Sequence, residues 1–130
     1  MTNKLKVYYA HFMGIYNTEQ EKRDIELLES LGFEIINPNN KSISERFGVL
    51  LDVGTPYLAA FNKVFGELVR DCDLLAFRSL PDGSISSGVY MEIEYAKDSL
   101  KPIIELPSRL TRRKLSKEET IEALKEFGVR

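Results

Sequence analysis

Glu92 is the residue whose place in the sequence is hardest to explain by packing alone. Apolar residues recur at helical spacing over residues 89–100, and Glu92 falls on their core-facing side, whereas Glu94 points roughly the other way. A carboxylate in such a place must be hydrogen-bonded, paired or at the edge of a cavity, because burying it alone is costly. At a cavity edge it could act as a general base or as a nucleophile, for example on the anomeric carbon of a sugar. The alternative is a boundary glutamate that reaches water.

The turn before this helix contains the residue types of an anion site. Ser86, Ser87 and Gly88 place hydroxyl groups and free amides where the helix begins, and such a helix start can receive a phosphate. The same residue types are also ordinary helix caps. The turn therefore leaves both interpretations open.

The elements that must position these residues alternate between strand and helix patterns. Capping pairs at Thr18 and Glu21, and at Ser116 and Glu119, mark two helix starts. The predicted strands are residues 4–10, 33–36, 74–79 and 102–106, and the predicted helices are residues 18–31, 44–51, 57–70, 87–99 and 116–127. The inner face of helix 57–70 is predicted to consist of Leu58, Phe61, Val64, Phe65, Leu68 and Val69. The inner face of helix 116–127 is predicted to consist of Ile121, Leu124 and Phe127. This order predicts one α/β domain over residues 1–130. Its sheet should be mostly parallel and flavodoxin- or Rossmann-like, with helices on both faces.

In a parallel sheet of this kind, ligands bind outside the carboxyl ends of the strands. The loops 11–17, 37–44 and 78–87 should meet at that edge. The ligand site is therefore expected there.

Several residues of these loops are candidates for binding a ligand. His11 could contact a ligand or cap its strand, Tyr16 could stack on a base or do nothing, and Arg78 could supply a charge or form a surface ion pair. Asn17 and the amides near Gly14 complete the set. Each has a plain structural alternative.

Composition limits the classes of function. The chain has 18 basic and 20 acidic residues, a formal net charge of -2. It therefore lacks the excess of positive charge that is typical of proteins that bind duplex nucleic acid. The basic cluster Arg109, Arg112, Arg113 and Lys114 is interpreted as a solvated loop. No apolar run is long enough to span a membrane, and the start lacks a signal-peptide pattern, so the protein is expected to be cytoplasmic.

Single copies of two residue types restrict metal and thiol chemistry. Cys72 is the only cysteine and His11 the only histidine, so neither an intrachain disulfide nor a zinc set is expected. Cys72 is interpreted as a small packing residue. We predict no metal and no organic cofactor.

The string SSGVYMEIEYAKDSLKPII, after a strand opened by Asp73, resembles the nucleoside 2-deoxyribosyltransferase superfamily. The signature of that superfamily is a glycine turn, a catalytic glutamate four residues later, and a Tyr-Ala pair three to four residues beyond; Gly88, Glu92, Tyr95 and Ala96 match it. The segment KVYYAHF is similar to the family's opening strand, and its assisting tyrosine maps to Tyr8. Asp73 falls on the family's substrate-contacting aspartate. The resemblance covers most of residues 4–106.

The resemblance implies covalent chemistry at Glu92. The carboxylate would attack C1′ of a nucleoside or nucleotide, the base would leave, and a second base or water would resolve the glycosyl-enzyme. The transferases usually carry an aspartate six residues before the glutamate, and this sequence has Ser86 there. The pattern S-x-G-V-x-x-E is similar to the branch that hydrolyses 2′-deoxynucleoside 5′-monophosphates, whose serine binds phosphate, so hydrolysis is slightly favoured.

The first loop departs from that branch, because HFMGIYN lacks the phosphate-binding serine and arginine that the branch tends to carry. His11, Asn17 and the amides near Gly14 would have to replace them, and Arg78 could supply the missing charge. Three alternatives stay open: a true deoxyribosyltransferase, a non-catalytic nucleotide sensor, and a NAD glycohydrolase. The family resemblance favours a homodimer or higher homo-oligomer, as do the aromatic residues Tyr57, Phe61 and Tyr90, here expected to be exposed.

Overall fold

The computed structural model describes residues 4–108 and 114–128, and within them it has four strands and six α-helical segments. The strands are β1 (Lys6–Ala10), β2 (Glu34–Ile36), β3 (Leu74–Phe77) and β4 (Ile103–Glu105). The helices are α1 (Glu19–Ser30), α2 (Lys41–Asp52), α3 (Tyr57–Phe61), α4 (Glu67–Asp71), α5 (Ser87–Asp98) and α6 (Lys117–Glu126). A π-helical turn, Asn62–Gly66, joins α3 to α4. The predicted alternation of strands and helices is confirmed.

All described strand pairings are parallel, in the order β2-β1-β3-β4. The chain adds β2 on one side of β1 and then β3 on the other, so the strand order reverses between β1 and β3, at the centre of the sheet. In an open α/β sheet the ligand-binding crevice forms at such a point. Tyr8 pairs with Leu75 in the middle of the sheet. The predicted fold class, a parallel sheet with helices on both faces, is correct.

The two faces of the sheet carry separate apolar cores, because successive side chains of a strand point to opposite sides. One face packs β1 and β3 against α4 and α5, and Cys72 lies in this core as predicted. The other face packs the alternate residues of the same strands against α1, through Leu28, and against Leu106. Tyr8 therefore faces α5, and Tyr9 faces α1.

Three predicted details of the helices are wrong. Helix α2 begins at Lys41 rather than near residue 44, because the Oδ1 atom of Asn40 accepts from the Ile43 amide at 3.3 Å and caps the helix. Leu58 is 66% exposed, since it lies in the first turn of α3, beyond the packed part of that helix. Phe61, expected among the exposed aromatic residues, is buried, whereas Tyr57 and Tyr90 are more than half exposed.

The last helix does not bury the predicted inner face. Ser116 and Glu119 form the expected capping box, but Ile121, Leu124 and Phe127 are all exposed and α6 has no buried residue. A periodic pattern predicts the helix and its apolar side; it does not identify the surface that the helix covers. Arg109, Arg112 and Arg113 lie outside the described residues, and Lys114 is exposed.

No helix in the described part of the chain is both long and apolar enough to cross a membrane.

Candidate active site

Glu92 lies in the second turn of α5, on the face that packs against the sheet, and only 5% of its surface is exposed. The hydroxyl of Tyr8, itself fully buried in β1, donates a hydrogen bond to Glu92 Oε2. No described residue hydrogen-bonds to the other carboxylate oxygen, and Glu92 lines a pocket. The carboxyl group is thus fixed from behind by Tyr8 and faces a cavity in front.

Burial controls the protonation of this pair. Loss of hydration raises the pKa of Glu92 to about 8, while the hydrogen bond from Tyr8 acts in the opposite direction. Burial, and then the nearby Glu92 carboxylate, raise the pKa of Tyr8 well above its usual value. Tyr8 therefore stays protonated and donates, and Glu92 can exchange its proton near neutral pH.

The pocket in front of Glu92 has a volume of about 300 Å³, at the small end of the range for ligand sites. It lies at the carboxyl edge of the sheet, where the three predicted loops meet. Its lining residues are His11, Phe12, Met13, Tyr16, Pro38, Ser44, Phe47, Tyr57, Phe61, Phe65, Ser86, Ser87, Gly88, Val89 and Glu92. A larger groove of about 840 Å³ runs along β2, but it is shallow, open to solvent and contains none of the predicted site residues.

One wall of the pocket is aromatic. Phe47 of α2 contacts Tyr57, Phe61 and Phe65 with ring-centroid distances of 5.7, 6.2 and 5.2 Å, all edge-on. Phe61 directly precedes the π-helical turn and Phe65 lies within it, so the wider spacing of that turn affects the direction in which the two rings project. The sequence interpretation placed Phe61 and Phe65 on an inner helical stripe, counted Tyr57 and Phe61 among the exposed aromatic residues, and gave Phe47 no role. A core and a pocket wall have the same composition, so the pattern did not identify the wall.

The start of α5 forms another side of the pocket. Ser86 caps the helix, its hydroxyl oxygen accepting from the Val89 amide at 3.4 Å, which leaves its proton free to donate. A Cβ atom on Gly88 would lie 3.7 Å from the Phe61 ring, an ordinary contact, so packing within the chain does not require a glycine there. Among the described lining residues there is no lysine or arginine. An anion here would bind hydroxyl and amide groups.

Arg78 does not contribute to the pocket. It continues the alternation of Leu74 and Ala76 onto the α1 face, where its guanidinium is buried against Asp24. Nη2 lies 2.5 Å from Asp24 Oδ1 and Nε lies 3.0 Å from Oδ2, and Nη1 donates to the Pro107 carbonyl. The Tyr9 hydroxyl also donates to Asp24, at 2.5 Å. The positive charge of Arg78, a candidate for binding a ligand, is instead part of a buried ion pair with Asp24.

Asp73 is also remote from the pocket. It precedes β3, at the amino edge of the sheet, whereas Glu92 faces the carboxyl edge. Its side chain is exposed and accepts from the Lys6 amide at 2.7 Å, where it joins the starts of β1 and β3. The structure thus does not bring the predicted catalytic aspartate together with Tyr8 and Glu92, because a residue before a parallel strand cannot reach the far end of it.

Some of the candidate residues in the first loop line the pocket and others lie outside it. Tyr16 lines the pocket, and burial, followed by the charge of Glu92, raises its pKa to about 12. Gly14 and Asn17 do not line it. A Cβ on Gly14 would lie 2.5 Å from the ring of Phe12, so this glycine makes room for that side chain.

The His11 side chain is fully buried, so only its main chain reaches the pocket. Nδ1 lies 2.9 Å from the Tyr9 carbonyl and Nε2 lies 2.8 Å from Glu21 Oε2. Both ring nitrogens are therefore occupied, so the His11 ring, one of the candidates for contacting a ligand, has no nitrogen free to do so in this arrangement.

Sequence reasoning missed two buried acids on α1. Asp24 and Glu21 lie four and seven residues before the core residue Leu28, and therefore on the same helix face. The reasoning that singles out Glu92 applies equally to them. The sequence instead predicts a capping box for Glu21, and only the Thr18 half of that box forms.

Residues 4–108 and 114–128 contain no group of three or more histidine, cysteine, aspartate or glutamate side chains arranged to hold a metal ion.

Comparisons with known proteins give little beyond this geometry. No protein-family model matches the chain, and no curated protein matches it. Among solved structures, the chain is similar to the CMP N-glycosidase BcmB of Clostridium botulinum, with a TM-score of 0.46 and 16% sequence identity over 92% of this chain and 98% of that chain. Similarity at this level assigns no role to any residue, so the case for a function depends on the pocket itself.

Proposed function

We propose that this chain is an enzyme that cleaves the N-glycosidic bond of a nucleoside or nucleotide, with Glu92 as the nucleophile. The observation that carries the proposal is the Glu92 carboxyl group: buried, fixed by Tyr8, and facing an aromatic pocket at the carboxyl edge of the sheet. A group with a pKa near 8 is about one-tenth ionised at pH 7, and its carboxylate is a stronger nucleophile than that of an ordinary glutamate.

The reaction has two steps. One Glu92 oxygen forms a bond to C1′ of the sugar as the bond from C1′ to the base nitrogen breaks, and the base leaves with the bonding electron pair and takes a proton from solvent. Water then attacks C1′, the ester bond to Glu92 breaks, and the water gives up a proton. The positive charge that develops on the sugar in each transition state favours the ionised form of Glu92.

The pocket offers a place for each part of such a substrate. The rings of Phe47, Phe61 and Phe65 suit the flat face of a nucleobase, since aromatic groups stack favourably. At the start of α5, the Ser86 hydroxyl and the amides near Gly88 suit a 5′-phosphate. This arrangement supports the slight preference for a 2′-deoxynucleoside 5′-monophosphate over a free nucleoside.

The decisive experiment is incubation with a panel of deoxynucleosides and their 5′-monophosphates, followed by chromatography for free base. Glu92→Gln should lower the rate of base release at least about 10³-fold, because an amide cannot attack C1′. Glu94→Gln is the matched control, since Glu94 is on the same helix and pairs with Lys97 near the surface. A wild-type chain that releases no base from any substrate would exclude the proposal. A Glu92→Gln variant that binds nucleotide as the wild type does would then indicate a sensor.

The pH dependence tests the role of Glu92 as nucleophile. If ionised Glu92 attacks, kcat/KM should rise with pH and level off above about 8. If protonated Glu92 acts as an acid, kcat/KM should fall over the same range. Adding a free base distinguishes base exchange from hydrolysis, because only a transferase incorporates it.

A further inference from the structure

Glu21 ties together the segments that surround the pocket, although it lies outside it. Its carboxylate is 2.8 Å from His11 Nε2, at the end of β1, and accepts the Asn17 amide of the first loop at 3.1 Å. The Asn39 side-chain amide, from the loop after β2, donates to both oxygens at 3.0 and 3.1 Å. One carboxylate thus fixes His11 and two loops.

Hydrogen bonds keep the Glu21 carboxyl group ionised. Burial opposes its ionisation, but its hydrogen bonds to His11, Asn17 and Asn39 lower its pKa overall. An ionised carboxylate can accept from all three groups at once. The charge of Glu21 therefore favours the arrangement of His11 and the two loops around it.

The other titratable groups near His11 have partners of their own. Tyr9 and Tyr16 pack against the ring, and burial raises the pKa of both hydroxyls, so both are neutral. Asp24, which accepts from Tyr9, is paired with Arg78. Glu92 is bonded to Tyr8 at the pocket. Glu21 is therefore the carboxylate that contacts the His11 ring.

The contact between Glu21 and His11 helps to determine the position of Tyr16. The His11 ring stacks on Tyr9 with centroids 3.7 Å apart, and its other contact is with the Tyr16 ring at 4.8 Å. Asn17, the residue after Tyr16, has a left-handed backbone with φ of 63° and gives its amide to Glu21. Tyr16 is thus fixed through its ring by His11 and through its backbone by Glu21.

We propose that Glu21 is a positioning residue that fixes Tyr16 in the wall of the Glu92 pocket, through its contacts with the His11 ring and the Asn17 amide. The consequence for catalysis rests on the proposed function. The place of Tyr16 does not.

The test uses Glu21→Gln in the full chain, with Glu26→Gln on the exposed side of the same helix as control. A glutamine has one side-chain oxygen, and its NH2 group cannot accept, so Glu21→Gln loses at least one of the hydrogen bonds that Glu21 accepts. His11 is the only histidine, so the signals of its ring protons are unambiguous.

The first measurement follows Tyr16 itself. Nuclear Overhauser contacts between the His11 and Tyr16 rings should be present in the wild type and weakened in Glu21→Gln, with unchanged circular dichroism. The variant should also lose about tenfold to a hundredfold in kcat/KM for base release, since small displacements in a site cost that much. Unchanged ring contacts, or a kcat/KM within twofold of the wild type, would refute the positioning role. If the wild type releases no base, the proposed function fails, and the ring contacts between His11 and Tyr16 still decide this proposal.

Discussion

Replacing Glu92 with glutamine should make the folded chain more stable at high pH. The unfolded chain releases the Glu92 proton near pH 4.5, whereas the folded chain keeps it until about pH 8. Between these values only the folded state holds the proton, so the stability of the wild type falls as pH rises from 4.5 to 8. The separation of the two values corresponds to roughly 5 kcal/mol over the whole range, of which roughly 3 kcal/mol is lost by pH 7.

Glutamine does not titrate and can still accept from Tyr8, so Glu92→Gln should not suffer this loss. The measurement is urea unfolding followed by circular dichroism at pH 5, 7 and 9 for the wild type, Glu92→Gln and Glu94→Gln. The stability advantage of Glu92→Gln over the wild type should grow by several kcal/mol from pH 5 to 9, while that of Glu94→Gln should stay constant. An advantage of Glu92→Gln that does not change with pH would show that burial does not hold the proton on this carboxyl group.

Three further predictions concern Tyr8, Asp24 and Asp73. Tyr8→Phe removes the hydrogen bond that lowers the pKa of Glu92, so the rise of kcat/KM with pH should move above pH 8; an unchanged profile would argue against the Tyr8 contact. Asp24→Asn leaves the buried Arg78 charge without its counter-ion and should cost about 3–5 kcal/mol in urea unfolding, more than Asp24→Leu combined with Arg78→Met; a smaller cost than the double variant would contradict the buried pair. Asp73→Asn should cost about 1 kcal/mol at most and leave kcat unchanged, since it lies at the amino edge; a large loss of kcat would return Asp73 to the site.

The fold and the place of Glu92 could be predicted from the sequence because both depend on local periodicity. The alternation of strand and helix patterns defines a parallel sheet, and helical spacing alone places Glu92 inward. The same rule, applied to α1, would have found Glu21 and Asp24, and strand alternation would have placed Arg78 on the α1 face with Leu74 and Ala76. The roles of Glu21, Asp24 and Arg78 were therefore wrong or missed because the residue type was considered and the direction of the side chain was not.

Other features could not be predicted from local patterns. The aromatic wall depends on how α2 meets the helix around the π turn, which is a tertiary contact between Phe47 and residues 57–65. The exposure of the apolar side of α6 also depends on tertiary contacts. The sequence pattern predicts the helix correctly, but it does not show whether another part of the chain covers its apolar side. Long-range packing of this kind is set by shape rather than by spacing.

The two adjacent tyrosines of β1 have a consequence for folding. Tyr8 and Tyr9 point to opposite faces of the sheet, and each donates to a buried carboxyl group, Glu92 on one side and Asp24 on the other. If β1 paired with β3 one residue out of step, both hydroxyls would meet the wrong core and both acids would lose their donors at once. The two hydroxyls therefore favour the native strand register, because a sheet shifted by one residue leaves two buried carboxyl groups without their donors.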